Sequence, residues 1–207
     1  EVRNIVVGVS VFDALSSEGN AARLAADLWP HSVLAGSLCK KAAAHLGAAM
    51  DGEAFIAGLL HDMGKLVLAS RMGHEYLQVH NGTPTRELPA KEMECYGFHH
   101  GHIGAALAER WNLPLTLVDS IGMHHADAEN RIADARDPVL AALCRVSNLA
   151  AHEDLLDEDV APEQRACCCE AEAWQALNDT MQLAPADRYA MWREARAAMG
   201  SGGGPVL

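Results

Sequence analysis

The sequence predicts an all-α fold, a helical bundle with additional helices at its C-terminal end. Two observations carry this prediction. Apolar residues recur at spacings of three and four in most segments, which is the period of an amphipathic helix. The length of 207 residues is enough for a domain with a substantial apolar core, so disulfides or other cross-links are not needed.

The first predicted elements follow the apolar pattern from the N-terminus. Residues 2–15 are apolar almost throughout and suit either a strand or a buried helix, and we favour the helix because the following segments are helical. A loop is expected at 16–20 and a short helix at 21–28. A longer helix is predicted to begin near His31 and to end at Gly47, since glycine commonly terminates helices.

The middle of the chain carries the next two predicted elements. Residues 53–65 are predicted as one helix, with His61 and Asp62 in its last turn before Gly64. Between residues 73 and 94 the periodic pattern breaks at glycine and proline, which indicates a short helix followed by an exposed loop.

The remaining helices are predicted at 103–111, 117–123, 138–151, 163–181 and 186–199. The acidic stretch at 153–159 is expected to be a solvated linker between the third and fourth of these. We therefore divide the chain into a helical core at 1–152, C-terminal helices packed on that core at 153–200, and a flexible glycine-rich tail at 201–207.

Charge and cysteine content narrow the class of protein. A net charge of -12 argues against direct binding to nucleic acid or to an anionic membrane surface. The cysteines are isolated or consecutive and show no zinc spacing, so we expect a reducing, cytoplasmic setting without disulfides. No apolar run reaches the roughly 18 residues of a membrane helix. Because the chain opens on Glu1 directly before an apolar run, we expect it to be a piece of a longer polypeptide.

Histidines beside apolar segments are the candidate metal ligands of this chain. His61 and Asp62 are adjacent, and Lys65 follows within one turn. Later apolar segments adjoin His99, His100, His102, His124 and His125. Imidazoles with one carboxylate suit iron, manganese, zinc, cobalt or nickel better than magnesium or calcium. An adjacent His-Asp pair can serve two metal ions, and two such ions can activate water and neutralise a phosphoryl group.

Spacing alone leaves open which of these side chains face the core. One of His99, His100 and His102 is expected to face inward, with two exposed companions. Helical neighbours diverge by about 100°, so on geometry alone one member of the doublet His124-His125 faces inward. Lys65 either contacts a substrate phosphate or is a solvated lysine at a helix end. The histidines expected to be superficial or incidental are His45, His74, His80 and His152.

Several blocks stand in order along the chain: Trp29-Pro30-His31-Ser32, FIAGLLHDMGKLVL from Phe55 to Leu68, ECYGFHHGHIGAALAERWNLP from Glu94 to Pro114, and IGMHH from Ile121 to His125. Together they resemble the HDOD domain, a relative of the HD-domain metal phosphohydrolases and of the HD-GYP phosphodiesterases. The resemblance covers residues 4–152 and implies an all-helical bundle of the HD type.

The resemblance also implies roles for individual residues. His31 matches the histidine that precedes the HD pair by one helix, and His61 and Asp62 match the pair itself. The implied metal ligands are His31, His61, Asp62, His100, His124 and His125, holding one or two divalent ions of iron, manganese or zinc. Asp62 and Lys65 are the residues that the resemblance places in catalysis.

The chain departs from the enzymes of this superfamily at two places. Asn148 stands where the HD enzymes carry a late aspartate, and a neutral amide is a weaker metal ligand. Residues 126–130 follow the histidine doublet where HD-GYP enzymes carry a Gly-Tyr-Pro loop. HDOD domains also carry a helical region before the point where this chain begins.

We therefore expect a bacterial signal-transduction output module, the effector part of a response regulator, with an HD-type metal site. Its expected partners are other signalling domains or proteins. The alternative is a metal-dependent phosphohydrolase that acts on a nucleotide or cyclic dinucleotide. A third interpretation makes the histidines a hydrogen-bonded polar core that holds no metal.

Overall fold

The computed structural model describes residues 10, 15, 19–47, 50–125 and 131–152. The helices are α1 (Gly19–His45), α2 (Asp51–Leu60), α3 (Met63–Met72), α4 (His74–Gly82), α5 (Leu88–Tyr96), α6 (His100–Arg110), α7 (Leu115–Gly122) and α8 (Pro138–Ala151), with a 3-10 turn at Ile132–Asp134. The predicted all-α fold is confirmed over these residues. The helix predicted at 2–15 and everything predicted beyond residue 152 lie outside the described residues, except for positions 10 and 15.

Helix α1 is continuous, which corrects the prediction of a short helix, a break and a second helix beginning near His31. The helix already includes Gly19 and Asn20, which were expected in a loop. Pro30 lies inside the helix, where its missing N–H normally breaks or kinks the backbone. Burial on both sides of the proline offsets this cost, since Leu28 and Leu38 belong to two different apolar clusters. His31 therefore lies in the middle of a long helix.

The helix predicted at 53–65 is instead divided at His61 and Asp62, because α2 ends at Leu60 and α3 begins at Met63. Gly64, expected to end a helix, lies in the first turn of α3. A Cβ at this position would overlap the carbonyl oxygen of His100 at the start of α6. Glycine is therefore required for α3 to approach α6 this closely.

A second close crossing joins α1 to α2. A Cβ on Gly58 would lie 2.7 Å from the carbonyl oxygen of Ala35 and 2.7 Å from the Cα of Gly36. These distances are shorter than any ordinary carbon contact, so only glycine lets the two helices touch at this point. The crossing brings the middle of α1 against the last turn of α2, which leads directly into His61.

Residues 73–94 form two helices, α4 and most of α5, rather than a short helix and an exposed loop. The prediction failed because Tyr76, Leu88 and Glu92 are all buried, although the sequence between them is polar and contains turn residues. Gly97 ends α5 with φ of 77°, a left-handed conformation that glycine adopts readily, and the chain then enters α6.

The last described helices agree with the sequence. Helix α6 begins slightly earlier than predicted, α7 lies within two residues of its predicted limits, and α8 spans the predicted 138–151. Leu140 and Leu143 of α8 are fully buried in a cluster shared with α1 and α2. Leu60 and Met63 are also fully buried, so the turn between α2 and α3 is held in the interior. No helix among the described residues is long and apolar enough to cross a membrane.

Gly64→Ala is expected to destabilise the protein by about 1–3 kcal/mol, because the added methyl group forces α3 away from α6. Gly82→Ala is the matched control, since a Cβ there has no atom within 4 Å beyond its chain neighbours and the backbone of its own helix. This control is expected to be neutral or to stabilise by about 0.4–1 kcal/mol. Urea denaturation measures both variants. Equal stabilities would contradict the direct packing of α3 on α6.

Candidate metal centre

The predicted ligands converge in the interior from separate parts of the chain. His31 comes from the middle of α1, His61 and Asp62 form the turn between α2 and α3, His100 begins α6, and His124 and His125 follow α7. Ligand atoms of Asp62, His100, His124 and His125 lie within 4.8 Å of one another, as do those of His31, His61 and Asp62. Asp62 therefore belongs to both groups.

The backbone fixes the tautomer of two of these rings. The Nδ1 of His61 lies 2.7 Å from the carbonyl oxygen of Gly58, and the Nδ1 of His124 lies 2.6 Å from that of Ile121. A carbonyl oxygen can only accept, so Nδ1 carries the hydrogen in both rings. In the neutral form of either ring, Nε2 then carries the lone pair that can bind another partner.

The side chain of Glu92 fixes the tautomer of His100. Its Nδ1 lies 2.6 Å from Oε2 of Glu92, and its backbone N–H donates to the same oxygen at 2.8 Å. The hydroxyl of Tyr76 donates to Oε1 of Glu92 at 2.7 Å. Sequence analysis missed this pair because it placed residue 92 in an exposed loop. Only the packing of α5 brings the carboxylate to His100.

The free lone pairs face one another. The Nε2 of His100 lies 3.3 Å from that of His124 and 3.3 Å from Oδ1 of Asp62. With Nδ1 protonated in both rings, the Nε2 of each ring is an acceptor in its neutral form. Oδ1 of Asp62 is buried and has no hydrogen-bond partner among the described residues. A cation between these atoms would satisfy all three acceptors, so the donor set fits a transition metal.

The Nε2 of His125 lies 2.9 Å from that of His100. Both members of the doublet join the same group of ligand atoms, which corrects the expectation from helix geometry that one of them faces outward. The doublet follows the last residue of α7, so the helical divergence of about 100° does not apply to it.

Lys65 is buried, with 4% of its surface exposed, and its Nζ donates to Oδ2 of Asp62 at 2.7 Å. The alternative of a solvated lysine is therefore wrong. Burial alone raises the pKa of Asp62, but the neighbouring His61 ring and the Lys65 ammonium hold it well below its ordinary value. Asp62 is thus an ionised carboxylate with one oxygen on Lys65 and the other directed at histidine nitrogens.

The His31 side of the cluster is hydrogen-bonded. Its Nε2 lies 3.0 Å from Oδ1 of Asn148 and 3.3 Å from Nε2 of His61. The ring of His152 stacks on that of His31, with centroids 4.3 Å apart. The expectation that His152 is incidental was therefore wrong, and no signal in the sequence separates it from an exposed histidine after α8.

Burial keeps several of these imidazoles uncharged. Desolvation, reinforced by the neighbouring rings, lowers the pKa of His31 to about 3. Desolvation likewise lowers the pKa values of His124 and His125 well below the ordinary range. Neutral imidazole is the form that binds metals, so the interior favours the ligand state over the protonated state.

His99 also departs from the expectation of exposed companions to His100. It is 2% exposed, and its Nδ1 accepts a hydrogen bond from the N–H of Gly101 at 3.0 Å. His102 is partly buried, and its Nδ1 accepts from the backbone N–H of His99. His99 and His102 thus cap the start of α6 and hold the backbone of His100 in place.

Arg145 is a further residue that sequence analysis missed. It is 2% exposed on α8, and its guanidinium donates to the carbonyl oxygens of Met123 and His125. These contacts fix the backbone on both sides of His124. The one available signal was an arginine among the apolar residues of α8, which indicates a buried partner for its charge.

Arg145→Lys is expected to destabilise the protein by about 1–3 kcal/mol, since an ammonium cannot reproduce the guanidinium fork and leaves a partly buried carbonyl oxygen without a donor. Arg136→Lys is the control, because Arg136 is exposed and binds Asp119 at the surface. Chemical denaturation compares the two. A larger loss in Arg136→Lys would contradict the role given to Arg145.

The lowered histidine pKa values predict that the metal-free protein loses stability as the pH falls from about 6.5 toward 3. In this range the unfolded chain binds protons that the folded protein excludes, so the free energy of unfolding falls by up to ~1.4 kcal/mol per pH unit for each such histidine. Denaturation with chelator present, repeated at several pH values, measures this slope. His31→Gln is expected to make it shallower, whereas His74→Gln, at an exposed position, leaves it unchanged. Equal slopes in both variants would contradict the assignment.

Comparison with known proteins places the sequence in a family. The HDOD domain matches residues 1–127. An uncharacterized protein of Treponema pallidum (strain Nichols) is 34% identical over 79 residues. That match covers 37% of this chain and 15% of the relative, so the chain spans only a small part of the relative's length.

Solved structures share the fold. An HDOD domain protein with unknown function from Geobacter sulfurreducens has a TM-score of 0.67 at 19% identity, with coverage of 95% of this chain and 68% of that one. A proposed phosphohydrolase from Shewanella amazonensis SB2B has a TM-score of 0.65 at 19% identity, covering 97% and 69%. The MmoQ response regulator from Methylococcus capsulatus has a TM-score of 0.57 at 22% identity, covering 84% and 64%.

These structural likenesses show a common helical arrangement, and the family match extends over more than half of the sequence. The residues of the buried His/Asp cluster all lie within the matched range 1–127. The chain belongs to the HDOD domain family.

Proposed function

We propose that the chain is a signal-transduction output module, of the kind that forms the effector part of a response regulator, and that its core holds one or two transition metal ions. The observation that carries this proposal is the enclosure of the cluster. His61, Asp62, His100 and His124 are each at most 1% exposed. A hydrolytic metal site must leave a coordination position that substrate can reach, and these atoms are sealed from solvent.

The residues that would hold the metal are those already described. Asp62, His100, His124 and His125 form the fuller group, and His31 and His61 form a second group around the shared Asp62. Nitrogen and oxygen donors of this kind suit iron, manganese or zinc. When bound, such an ion supplies Lewis acidity and a cross-link between the helical segments that carry its ligands.

The signalling role draws on two further facts. The fold is shared with a response regulator, MmoQ. Asn148, a neutral amide, is the side chain of α8 that reaches His31, so the second group lacks another carboxylate there. We propose that the partners are other signalling domains or proteins, which would respond to the arrangement of the helices joined at Asp62.

A metal-dependent phosphohydrolase acting on a nucleotide or cyclic dinucleotide is the second candidate. The partial exposure of His31, with 15% of its side chain accessible, favours this alternative. The fold shared with a proposed phosphohydrolase is compatible with it. In that case Asp62 and Lys65 would lie at the reacting centre.

Elemental analysis of protein purified without chelator is expected to give one or two equivalents of iron, manganese or zinc per chain. Asp62→Asn should lose the metal, since it removes the carboxylate common to both groups. Asp134→Asn, at an exposed position, is the matched control and should retain it. A folded protein without metal would contradict the proposal and favour the hydrogen-bonded polar core.

Chelator is expected to lower the melting temperature of the wild-type protein by about 2–4 °C for each kcal/mol of metal-binding free energy that is removed. It should leave Asp62→Asn unchanged, because that variant has no metal to lose. Differential scanning calorimetry measures both. An equal shift in both proteins would mean that the effect does not arise at this cluster.

Hydrolysis assays separate the two candidate functions. The metal-loaded protein is expected to show no more turnover of bis(p-nitrophenyl) phosphate or cyclic dinucleotides than Asp62→Asn does. Turnover that disappears in this variant would overturn the regulatory proposal in favour of the phosphohydrolase.

A further inference from the structure

Glu92 is a buried acid that neither the sequence analysis nor the proposed function uses. It lies on α5, its side chain has no exposed surface, and its carboxylate is directed at His100. Glutamate is almost never fully buried unless its charge is paired or hydrogen-bonded. The contacts of this carboxylate therefore need an explanation.

Both oxygens of the Glu92 carboxylate accept hydrogen bonds. Oε1 accepts from the hydroxyl of Tyr76 at 2.7 Å. Oε2 accepts from the backbone N–H of His100 at 2.8 Å and lies 2.6 Å from the Nδ1 of the same residue. A carboxylate oxygen that already accepts a backbone N–H is an acceptor for the ring as well, so the ring hydrogen lies on Nδ1. Glu92 thus holds both the backbone and the ring of His100.

The position of the other ring nitrogen follows from this contact. The Nε2 of His100 lies 3.3 Å from Nε2 of His124, 2.9 Å from that of His125 and 3.3 Å from Oδ1 of Asp62. His100 therefore contacts the three other residues of the fuller group, Asp62, His124 and His125. The other tautomer, or a rotated ring, would remove the metal-binding Nε2 lone pair of His100 from the centre of that group.

His100 also differs from His61 and His124 in how its ring is held. Their Nδ1 atoms bond to carbonyl oxygens three residues earlier in the same chain segment, which local backbone geometry supplies. The partner of His100 comes from another helix, and Tyr76 on α4 holds that partner in turn. A carboxylate on the distal nitrogen also makes an imidazole a stronger electron donor than a carbonyl does.

We propose that Glu92, held by Tyr76, is the positioning residue that fixes the ring of His100 for metal binding and sets the metal affinity of the centre. This inference rests on the proposed function insofar as it needs a metal-binding centre. The part that concerns the ring of His100 applies to the metal-free protein as well.

The first test is calorimetric titration of the chelator-treated protein with Zn²⁺ and Mn²⁺. Glu92→Gln is expected to weaken binding by about 10-fold to 100-fold, because it keeps the shape of the side chain but removes its charge. Tyr76→Phe is expected to weaken binding less, since Glu92 keeps both of its contacts with His100. Glu94→Gln is the matched control on the same helix, at an exposed position, and should bind as the wild type does.

The second test is independent of metal. Long-range ¹H–¹⁵N correlation spectra of the metal-free protein report the tautomer of each histidine ring. The wild type is expected to show His100 with hydrogen on Nδ1 alone, and Glu92→Ala to show a mixture of tautomers. A purely structural role for Glu92 would lower the melting temperature without changing the spectrum or the metal affinity of the folded protein.

The outcomes distinguish this inference from the proposed function. A wild-type protein that binds neither ion contradicts the proposed function, and the spectra still decide how Glu92 acts on His100. A wild-type protein that binds metal with the same affinity as Glu92→Gln overturns the inference and leaves the proposed function standing. If Glu92→Ala fails to fold, the titration of the isosteric Glu92→Gln decides the question.

Discussion

At the centre of the bundle, the buried carboxylate of Asp62 faces imidazole nitrogens that arrive from separate helical segments. One oxygen accepts a hydrogen bond from Lys65, and the other is buried 3.3 Å from Nε2 of His100 and 3.6 Å from Nε2 of His124, without a hydrogen-bond partner among the described residues. Such a convergence of acceptors is unfavourable in a sealed interior unless a cation lies among them. The rest of the structure holds this arrangement in place. Glycines at the helix crossings let the helices approach closely. Arg145 binds the backbone of His125, and Glu92 binds the Nδ1 of His100.

Much of the cluster could be predicted from the sequence because several of its residues stand next to each other at the ends of apolar runs. The pair His61-Asp62 ends an apolar run, and the doublet His124-His125 ends another, so each adjoins a segment that is expected to pack against the core. The helix at 138–151 was predicted at its observed limits, since apolar residues recur at helical spacing along its whole length. The ordered blocks then supplied the family, which no single motif could have done.

The features that escaped prediction depend on contacts between distant residues. Local rules place a break at Pro30 and a helix end at Gly64, yet tertiary packing keeps α1 continuous and uses Gly64 where α3 touches α6. Glu92 looks like an ordinary surface residue until α5 is packed against the histidines, and the partners of Arg145 become visible only when α8 is packed against the segment that carries His124. His152 likewise gains its role from stacking on a ring more than a hundred residues earlier in the chain.

The most direct test of the central claim is a crystal structure of protein purified without chelator, with diffraction recorded at the absorption edges of iron, manganese and zinc. The account predicts an anomalous peak about 2 Å from Nε2 of His100, Nε2 of His124 and Oδ1 of Asp62. A map without a peak, in which these nitrogens turn away from one another or donate hydrogen bonds to Asp62, would contradict it. The histidines would then be a polar core that stabilises the bundle without metal.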